Sequence, residues 1–207
     1  MKSETTRAFG FLCVFLLTVC GICYADWPQY MGPDRNGISP DKGLMRAWPE
    51  GGPRVLWTVP VGPGYAGPAI YKGEVFLLDR VDDQKDVLRC FALDTGEERW
   101  NVSYDAPGKV GHTGSRTTPT VDDRHIYSVG MTGRFLCTDR VTHAVVWQKD
   151  LLADFGAERP NWGVAQAPVL YRNLVIVAPQ ARDAFAAAFD RDTGRVVWKS
   201  PGLGLPG

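Results

Sequence analysis

The chain has no excess of charge of either sign. It carries 23 Lys and Arg residues against 23 Asp and Glu residues, so its formal net charge is zero. Binding to nucleic acid or to an anionic membrane surface draws on clustered positive charge, and no basic stripe runs along this sequence. We therefore expect neither as a partner.

Long apolar segments are missing beyond the N-terminus. Lys2 and Arg7 precede an uncharged run over residues 8–23, and the small residue Ala25 follows shortly after it. This order is typical of a secretory signal peptide. The run is shorter than the ~20 apolar residues of a spanning helix, and a membrane anchor is the competing interpretation. We predict a signal peptide over residues 1–25, a periplasmic or extracellular protein, and no stable membrane span after cleavage.

Histidine is also scarce. The three histidines are His112, His125 and His143, and no two of them have the spacing of two or four residues that is typical of paired metal ligands. The sequence therefore predicts no metal site.

What the sequence does contain is a pattern that occurs three times. Trp100, Trp147 and Trp198 end three segments that align without gaps, at spacings of 47 and 51 residues. The segments are residues 90–100, 137–147 and 188–198. Upstream of each, a proline opens a short strand, a polar turn and a second strand. These prolines are Pro68, Pro119 and Pro168, at spacings of 51 and 49 residues. Self-similarity at this period, in units of short strands, indicates a β-propeller.

Each unit divides into four predicted strands. In the first unit they cover residues 67–71, 74–79, 87–93 and 97–104. In the second they cover residues 117–121, 124–129, 133–139 and 144–150. In the third, the alanine-rich residues 181–190 favour a helix on propensity, but the repeat register predicts a strand.

We predict an all-β fold, a propeller of four-stranded antiparallel blades that forms an incomplete ring. The domains are a signal peptide over 1–25, an extension over 26–53 and a partial propeller over 54–207. Within the propeller we predict an N-terminal closing strand over 54–62, blades over about 63–107, 108–157 and 158–200, and a linker over 201–207. Because propellers close with roughly four to eight blades, we expect the sequence to be the N-terminal part of a longer protein.

Cys90 and Cys137 are the only cysteines beyond the predicted signal peptide. Two thiols in an oxidising compartment could pair. They occupy the same column of neighbouring repeats, however, and equivalent points on adjacent blades should lie farther apart than the ~7 Å Cα separation that a disulfide tolerates. We expect two small buried residues instead.

The repeat resembles the tryptophan-docking motif of the quinoprotein-like (PQQ-like) β-propeller repeat family, which includes BamB-like exported proteins. The third copy matches that motif fully, whereas the second has His143 for the glycine and Cys137 for the alanine, and the first has Cys90 and Ala92 for the alanine and the aspartate. The resemblance assigns a structural docking role to Trp100, Trp147, Trp198, Thr95, Thr142, Thr193, Gly96, Gly194, Asp139 and Asp190. Physically, glycine allows a tight turn and close approach by an indole, and threonine and aspartate can tie that turn with hydrogen bonds.

The resemblance implies that the loops before the inner strands face a central funnel. Tyr65 and Arg116 each lie three residues before a strand-opening proline, and Gln166 lies two before the third. In the family's enzymes the quinone has three carboxylates, which an arginine could meet with paired hydrogen bonds. Arg116, Tyr65 and Gln166 are therefore the candidate cofactor-binding residues. The alternative for Arg116 is a solvated or carbonyl-bonded side chain.

The same repeat serves both dehydrogenases and non-catalytic proteins. No Cys-Cys pair is present in this chain, whereas family dehydrogenases commonly carry one beside the quinone. We expect no catalytic residue, no assured cofactor, and a binding or scaffolding module with protein partners or a small ligand at the funnel. The alternative is an alcohol or sugar dehydrogenase that uses pyrroloquinoline quinone with calcium; a third possibility is a fragment without function of its own.

Overall fold

The computed structural model describes residues 26–202, so the predicted signal peptide and the last five residues lie outside the described part of the chain. Three separate four-stranded sheets account for its strands. The first sheet contains β1 (Ala69–Tyr71), β2 (Glu74–Val81), β3 (Lys85–Ala92) and β4 (Glu98–Asp105). The second contains β5 (Thr120–Val121), β6 (His125–Val129), β7 (Arg134–Asp139) and β8 (Val145–Asp150). The third contains β9 (Val169–Tyr171), β10 (Leu174–Val177), β11 (Ala187–Asp190) and β12 (Val196–Lys199).

Each sheet is an antiparallel meander in which sequential strands are neighbours. The turn between β1 and β2 is the two-residue pair Lys72-Gly73, with φ values of 48° and 76°. Two consecutive positive φ values give the hairpin turn whose twist matches that of the flanking strands. The prediction of four-stranded all-β blades in an incomplete ring is confirmed, since no ring closes among the described residues.

The strand predictions differ from the structure in two places. Residues 54–62 form no strand, because no strand ladder among residues 26–202 reaches them. In the alanine-rich segment the strand is confined to β11, and ahead of it Ala181 and Ala184 pair with each other across a tight local bridge.

The sequence analysis also missed one helix, α1 (Leu151–Phe155). It begins because the Asp150 side chain accepts hydrogen bonds from the amides of Leu152 and Ala153, and it ends at Gly156 in the left-handed conformation. Among residues 26–202 no helix is long and apolar enough to cross a membrane.

The largest buried cluster lies between the second and third sheets. Trp147 is 8% exposed and packs edge-on against Phe135, with ring centroids 5.0 Å apart. Phe135 in turn contacts Phe189 of β11 at 5.7 Å. Cys137 and Cys90 are buried and free, and burial raises the pKa of each thiol to about 12. Both thiols are therefore packing residues of the blades.

A tryptophan from one unit packs on the turn of the next unit. The Trp57 indole lies so close to Gly96 that a Cβ there would be 2.5 Å from its Cδ2 atom, and its Nε1 donates to the Leu93 carbonyl at 2.9 Å. Trp147 makes the same two contacts. Its indole packs on Gly194, and its Nε1 donates to the Arg191 carbonyl at 2.9 Å. Trp147 thus joins the second and third blades, and Trp57 joins residues 54–62 to the first blade.

The interface between the first and second blades uses an imidazole where the contacts of Trp57 and Trp147 use glycine. His143 keeps the left-handed backbone of the missing glycine, with φ at 61°. Its ring stacks on Trp100, with centroids 4.4 Å apart and planes 18° from parallel. Trp198 of the third unit has no following turn among the described residues and is 41% exposed.

Arginine side chains reinforce both interfaces between sheets. Arg140, which follows the docking aspartate of the second unit, donates to Glu74 at 3.3 Å. Arg191, at the same position of the third unit, pairs with Asp122 and donates to the Tyr127 hydroxyl. Each arginine therefore reaches back to the preceding blade.

The extension over residues 26–37 crosses the first strand of all three sheets. Trp27 exchanges two backbone hydrogen bonds with Ile70, at 2.8 and 2.9 Å. The Pro28 carbonyl accepts from the Val121 amide at 2.8 Å, and Arg35 donates to the Leu170 carbonyl at 2.8 Å. These bonds cover polar backbone at strand edges that would otherwise need another partner.

Truncating a buried docking indole should destabilise the chain far more than truncating the exposed one. Trp147→Ala removes a buried aromatic ring and should lower the free energy of unfolding by about 3 to 5 kcal/mol. Trp198→Ala is the matched control from the same motif position, and should cost less than about 1 kcal/mol. Urea unfolding measures both. Equal losses for the two variants would contradict a docking role for Trp147.

Stability should fall in mild acid because of His125. Burial, together with the nearby Arg124, lowers the pKa of its imidazole. Below the ordinary histidine pKa of about 6.5, His125 takes up a proton more readily in the unfolded chain than in the folded chain. Its contribution to the free energy of unfolding is therefore fully present at neutral pH and is lost as pH falls. Unfolding of His125→Gln at pH 7.5 and 5.5 should show a weaker pH dependence than the parent. An unaltered dependence in His125→Gln would refute the assignment.

Candidate functional site

A cavity of about 640 Å³ lies where the extension meets the loops that lead into β1, β5 and β9. Its walls come from four separate stretches of chain. The lining residues are Trp27, Tyr30, Met31, Gly37, Tyr65, Ala66, Gly67, Pro68, Arg116, Thr118, Ala165 and Ala167. Arg116 is the only charged residue among them, and the other large side chains are aromatic or apolar.

The structure brings Tyr65 and Arg116 together at this cavity. Their loops run side by side, because the Tyr65 amide donates to the Ser115 carbonyl at 2.8 Å. The close approach needs Gly114, whose φ is 120° and where a Cβ would lie 2.2 Å from the Pro63 carbonyl oxygen. The Arg116 guanidinium lies over the Tyr65 ring at 5.3 Å from its centroid.

Arg116 is partly committed to its own loop. It donates to the Gly114 carbonyl at 2.6 Å and to the His112 carbonyl. These bonds fix the direction of the guanidinium. Because the group has five N–H donors, three remain for a ligand.

Gln166 lies outside the cavity lining and its side chain is occupied. Its Nε2 donates to the Ala178 carbonyl at 2.7 Å, and its Oε1 accepts from the Ala178 amide. The pair closes the loop onto the end of β10. Alignment to the repeat gave the position of this residue but not the direction of its side chain.

An aromatic row continues from Tyr65 away from the cavity. The His112 ring meets Tyr65 edge-on at 6.2 Å, and it stacks on Trp162 at 4.9 Å with planes 9° apart. Tyr65 and Trp162 are 66% and 61% exposed. Trp162 is thus an exposed aromatic residue, and it lies in the turn Asn161-Trp162-Gly163.

A buried ion pair supports the loop that presents His112 and Arg116. Arg80 is fully buried and pairs with Asp86 at 2.7 Å. It also donates to the Ala106 carbonyl at 2.9 Å and to the Gly108 carbonyl, at the start of the loop. Burial raises the pKa of Asp86, although Arg80 opposes the shift. The pair therefore positions the loop from inside the first blade.

The lining of the cavity contains no carboxylate, and calcium is bound mainly by carboxylate and carbonyl oxygens. Among residues 26–202 no group of three or more His, Cys, Asp or Glu side chains could hold a metal ion. Of the three cofactor-binding candidates, Gln166 is hydrogen-bonded to the Ala178 backbone, whereas Arg116 and Tyr65 line the cavity and are available to a ligand.

Arg116 and Arg80 should differ sharply in their effect on stability. Arg116→Ala removes a half-buried side chain that is bonded only to its own loop, so the free energy of unfolding should change by less than about 1 kcal/mol. Arg80→Ala leaves the Asp86 carboxylate buried without its partner, and should cost about 3 to 5 kcal/mol. Urea unfolding distinguishes the two. Substantial unfolding of Arg116→Ala would make it a packing residue.

The chain resembles known proteins over most of its described length. Residues 83–205, more than half of the chain, match the family model described as outer membrane protein assembly factor BamB. No curated protein sequence matches the chain.

Solved structures share its fold at low sequence identity. Quinohemoprotein alcohol dehydrogenase ADHIIG from Pseudomonas putida is 17% identical, with 86% of this chain and 26% of that one covered and a TM-score of 0.58. BamB from Moraxella catarrhalis is 21% identical, with 70% and 38% covered and a TM-score of 0.47. Quinohemoprotein alcohol dehydrogenase from Comamonas testosteroni is 17% identical, with 68% and 21% covered and a TM-score of 0.48.

The chain thus spans less than half the length of each of these proteins. At such identities the likeness concerns the fold alone. Since the family model covers more than half of its length and its sheets have the blade topology, the chain belongs to the PQQ-like β-propeller repeat family whose model is described as outer membrane protein assembly factor BamB.

Proposed function

We propose that this chain is a non-catalytic binding or scaffolding module of an exported, periplasmic or extracellular β-propeller protein. Its ligand site is the cavity between the extension and the loops before β1, β5 and β9. The partner is another protein, which meets the exposed aromatic residues around Arg116. The signal peptide predicted over residues 1–25 supports export, and the match to the BamB family model supports a role in protein interaction.

One observation carries this proposal above the others: polar side chains at the cavity and beside it bond to the protein's own backbone. Arg116, in the lining, donates two hydrogen bonds to its own loop, and Gln166, between two lining residues, bonds to Ala178 with both ends of its amide. The extension meanwhile covers the first-strand edges of all three sheets. The site is thus held by backbone hydrogen bonds, and it presents aromatic surface around one positive charge. These are properties of a docking surface.

The competing function is a dehydrogenase that uses pyrroloquinoline quinone. It would require carboxylates that hold calcium beside the quinone, and the cavity lining has none. Arg116 alone could meet a carboxylate of that cofactor. A single arginine does not distinguish a cofactor from an acidic partner, so the two functions need an experiment that separates them.

Titration with pyrroloquinoline quinone and calcium provides that experiment. Intrinsic tryptophan fluorescence should show no saturable change, and no dye should be reduced when ethanol or glucose is added. Arg116→Ala should respond in the same way as the parent chain. Saturable binding with turnover on an alcohol, lost in Arg116→Ala, would reject the scaffold function in favour of the dehydrogenase.

A photo-crosslinking residue tests the binding function directly. At position 65, beside the cavity, it should give a discrete protein adduct in cells, and Arg116→Ala should weaken that adduct. Position 141, where Val141 is 79% exposed on a turn of the second blade, is the matched control. Equal adducts at both positions, or an adduct indifferent to Arg116, would count against a docking surface at the cavity.

A further inference from the structure

We infer that the cavity and the aromatic row beside it bind one short linear peptide segment that carries both acidic and aromatic residues. This inference rests on the proposed function and specifies the chemistry of its partner. The surface consists of Tyr30, Tyr65, His112, Arg116 and Trp162.

The shape of the surface favours an extended chain over a compact ligand. The cavity ends at Tyr65 and Arg116, but aromatic surface continues through His112 to Trp162 by steps of 6.2 and 4.9 Å between ring centroids. That path matches about three residues of extended chain at ~3.3 Å per residue. A small molecule that filled the cavity would leave Trp162 uncovered.

The charge of the surface favours an acidic segment. Arg116 is the only charged residue of the cavity lining and keeps three N–H donors free of its own loop. The loop over residues 108–116 also carries Lys109 and no acidic residue. Arg159 lies against this loop, with its Nη1 atom 2.8 Å from where a Cβ of Gly108 would be. A carboxylate at Arg116 would gain paired hydrogen bonds as well as charge attraction.

The apolar part of the surface calls for aromatic side chains. Tyr30, Tyr65 and Trp162 are each more than 60% exposed. Exposed aromatics rimmed by polar groups mark interaction sites in soluble proteins. A cavity of about 640 Å³ between Tyr30, Met31 and Tyr65 has room for a large side chain of the partner. An aromatic residue next to an acidic one satisfies both parts of the surface.

The test uses fluorescence anisotropy with three labelled heptapeptides and the purified chain. The first, Gly-Glu-Phe-Gly-Phe-Glu-Gly, should bind saturably. Replacing its Glu residues by Lys, or its Phe residues by Ser, should each weaken binding tenfold or more. Equal binding of the Lys peptide, or of the Ser peptide, would overturn the inference.

Variants of the chain locate the peptide. Arg116→Ala and Trp162→Ala should each weaken binding of the acidic aromatic peptide tenfold or more, and Arg116→Lys should restore only part of it because the planar fork is lost. Val141→Ala is the control and should bind like the parent. Thermal melting of each variant checks that it is folded. Full binding by Trp162→Ala would remove the aromatic row from the site and overturn the inference.

Two further measurements separate this inference from the proposed function. Indole-3-acetate probes the cavity alone: if it binds and the peptides do not, the site stands but the peptide inference fails. If neither binds to a folded chain, both proposals fail. Sedimentation shows whether a second copy of the chain occupies this surface. Self-association that Trp162→Ala abolishes would also overturn the peptide inference.

Discussion

The contact on which this fold depends is an indole packed on the turn of the following blade. The three sheets do not share a strand ladder, so their spacing is set by side chains. Trp57 and Trp147 each press on a glycine with a left-handed backbone and donate to a carbonyl three residues before it. A Cβ at either glycine would clash with the ring. At Trp147 the motif therefore fixes both the distance and the direction between the second and third blades, because a buried ring with one hydrogen bond has little freedom to slide.

The candidate site is a consequence of that spacing. Its walls come from the extension and from the loops before β1, β5 and β9, so each blade contributes one segment. The extension ties these segments together through backbone bonds to Ile70 and Val121 and through Arg35 to Leu170. Beneath the second loop, Arg80 is paired with Asp86 and donates to the Ala106 and Gly108 carbonyls, from which the loop departs. The geometry at Arg116 thus depends on packing in the first blade as well as on its own bonds.

The repeat made most of the fold predictable. Strands recur at a fixed distance from the docking tryptophan, and polar or glycine residues mark the turns between them. Contacts outside the repeat were not predictable in this way. Residues 54–62 share the strand pattern, yet a strand needs a partner, which pattern alone does not supply. α1 depends on one capping aspartate, Asp150. At the site, column alignment placed Arg116 and Tyr65 together but gave no direction for Gln166, whose amide turns to Ala178. The bonds of the extension to three sheets had no sequence signal at all.

The interface between the first and second blades shows how far the motif can vary and still join two blades. His143 stands where a glycine is expected and adopts a positive φ, which is costly for a residue with a Cβ. The ring offsets that cost in part, because it stacks on Trp100 at 4.4 Å and adds aromatic contact that a glycine lacks. Arg140 lies three residues earlier and ties the same turn to Glu74 of the first blade. What the interface requires is therefore a flat surface for the indole on a left-handed turn. Glycine provides it by leaving the backbone bare, and histidine provides it with its own ring.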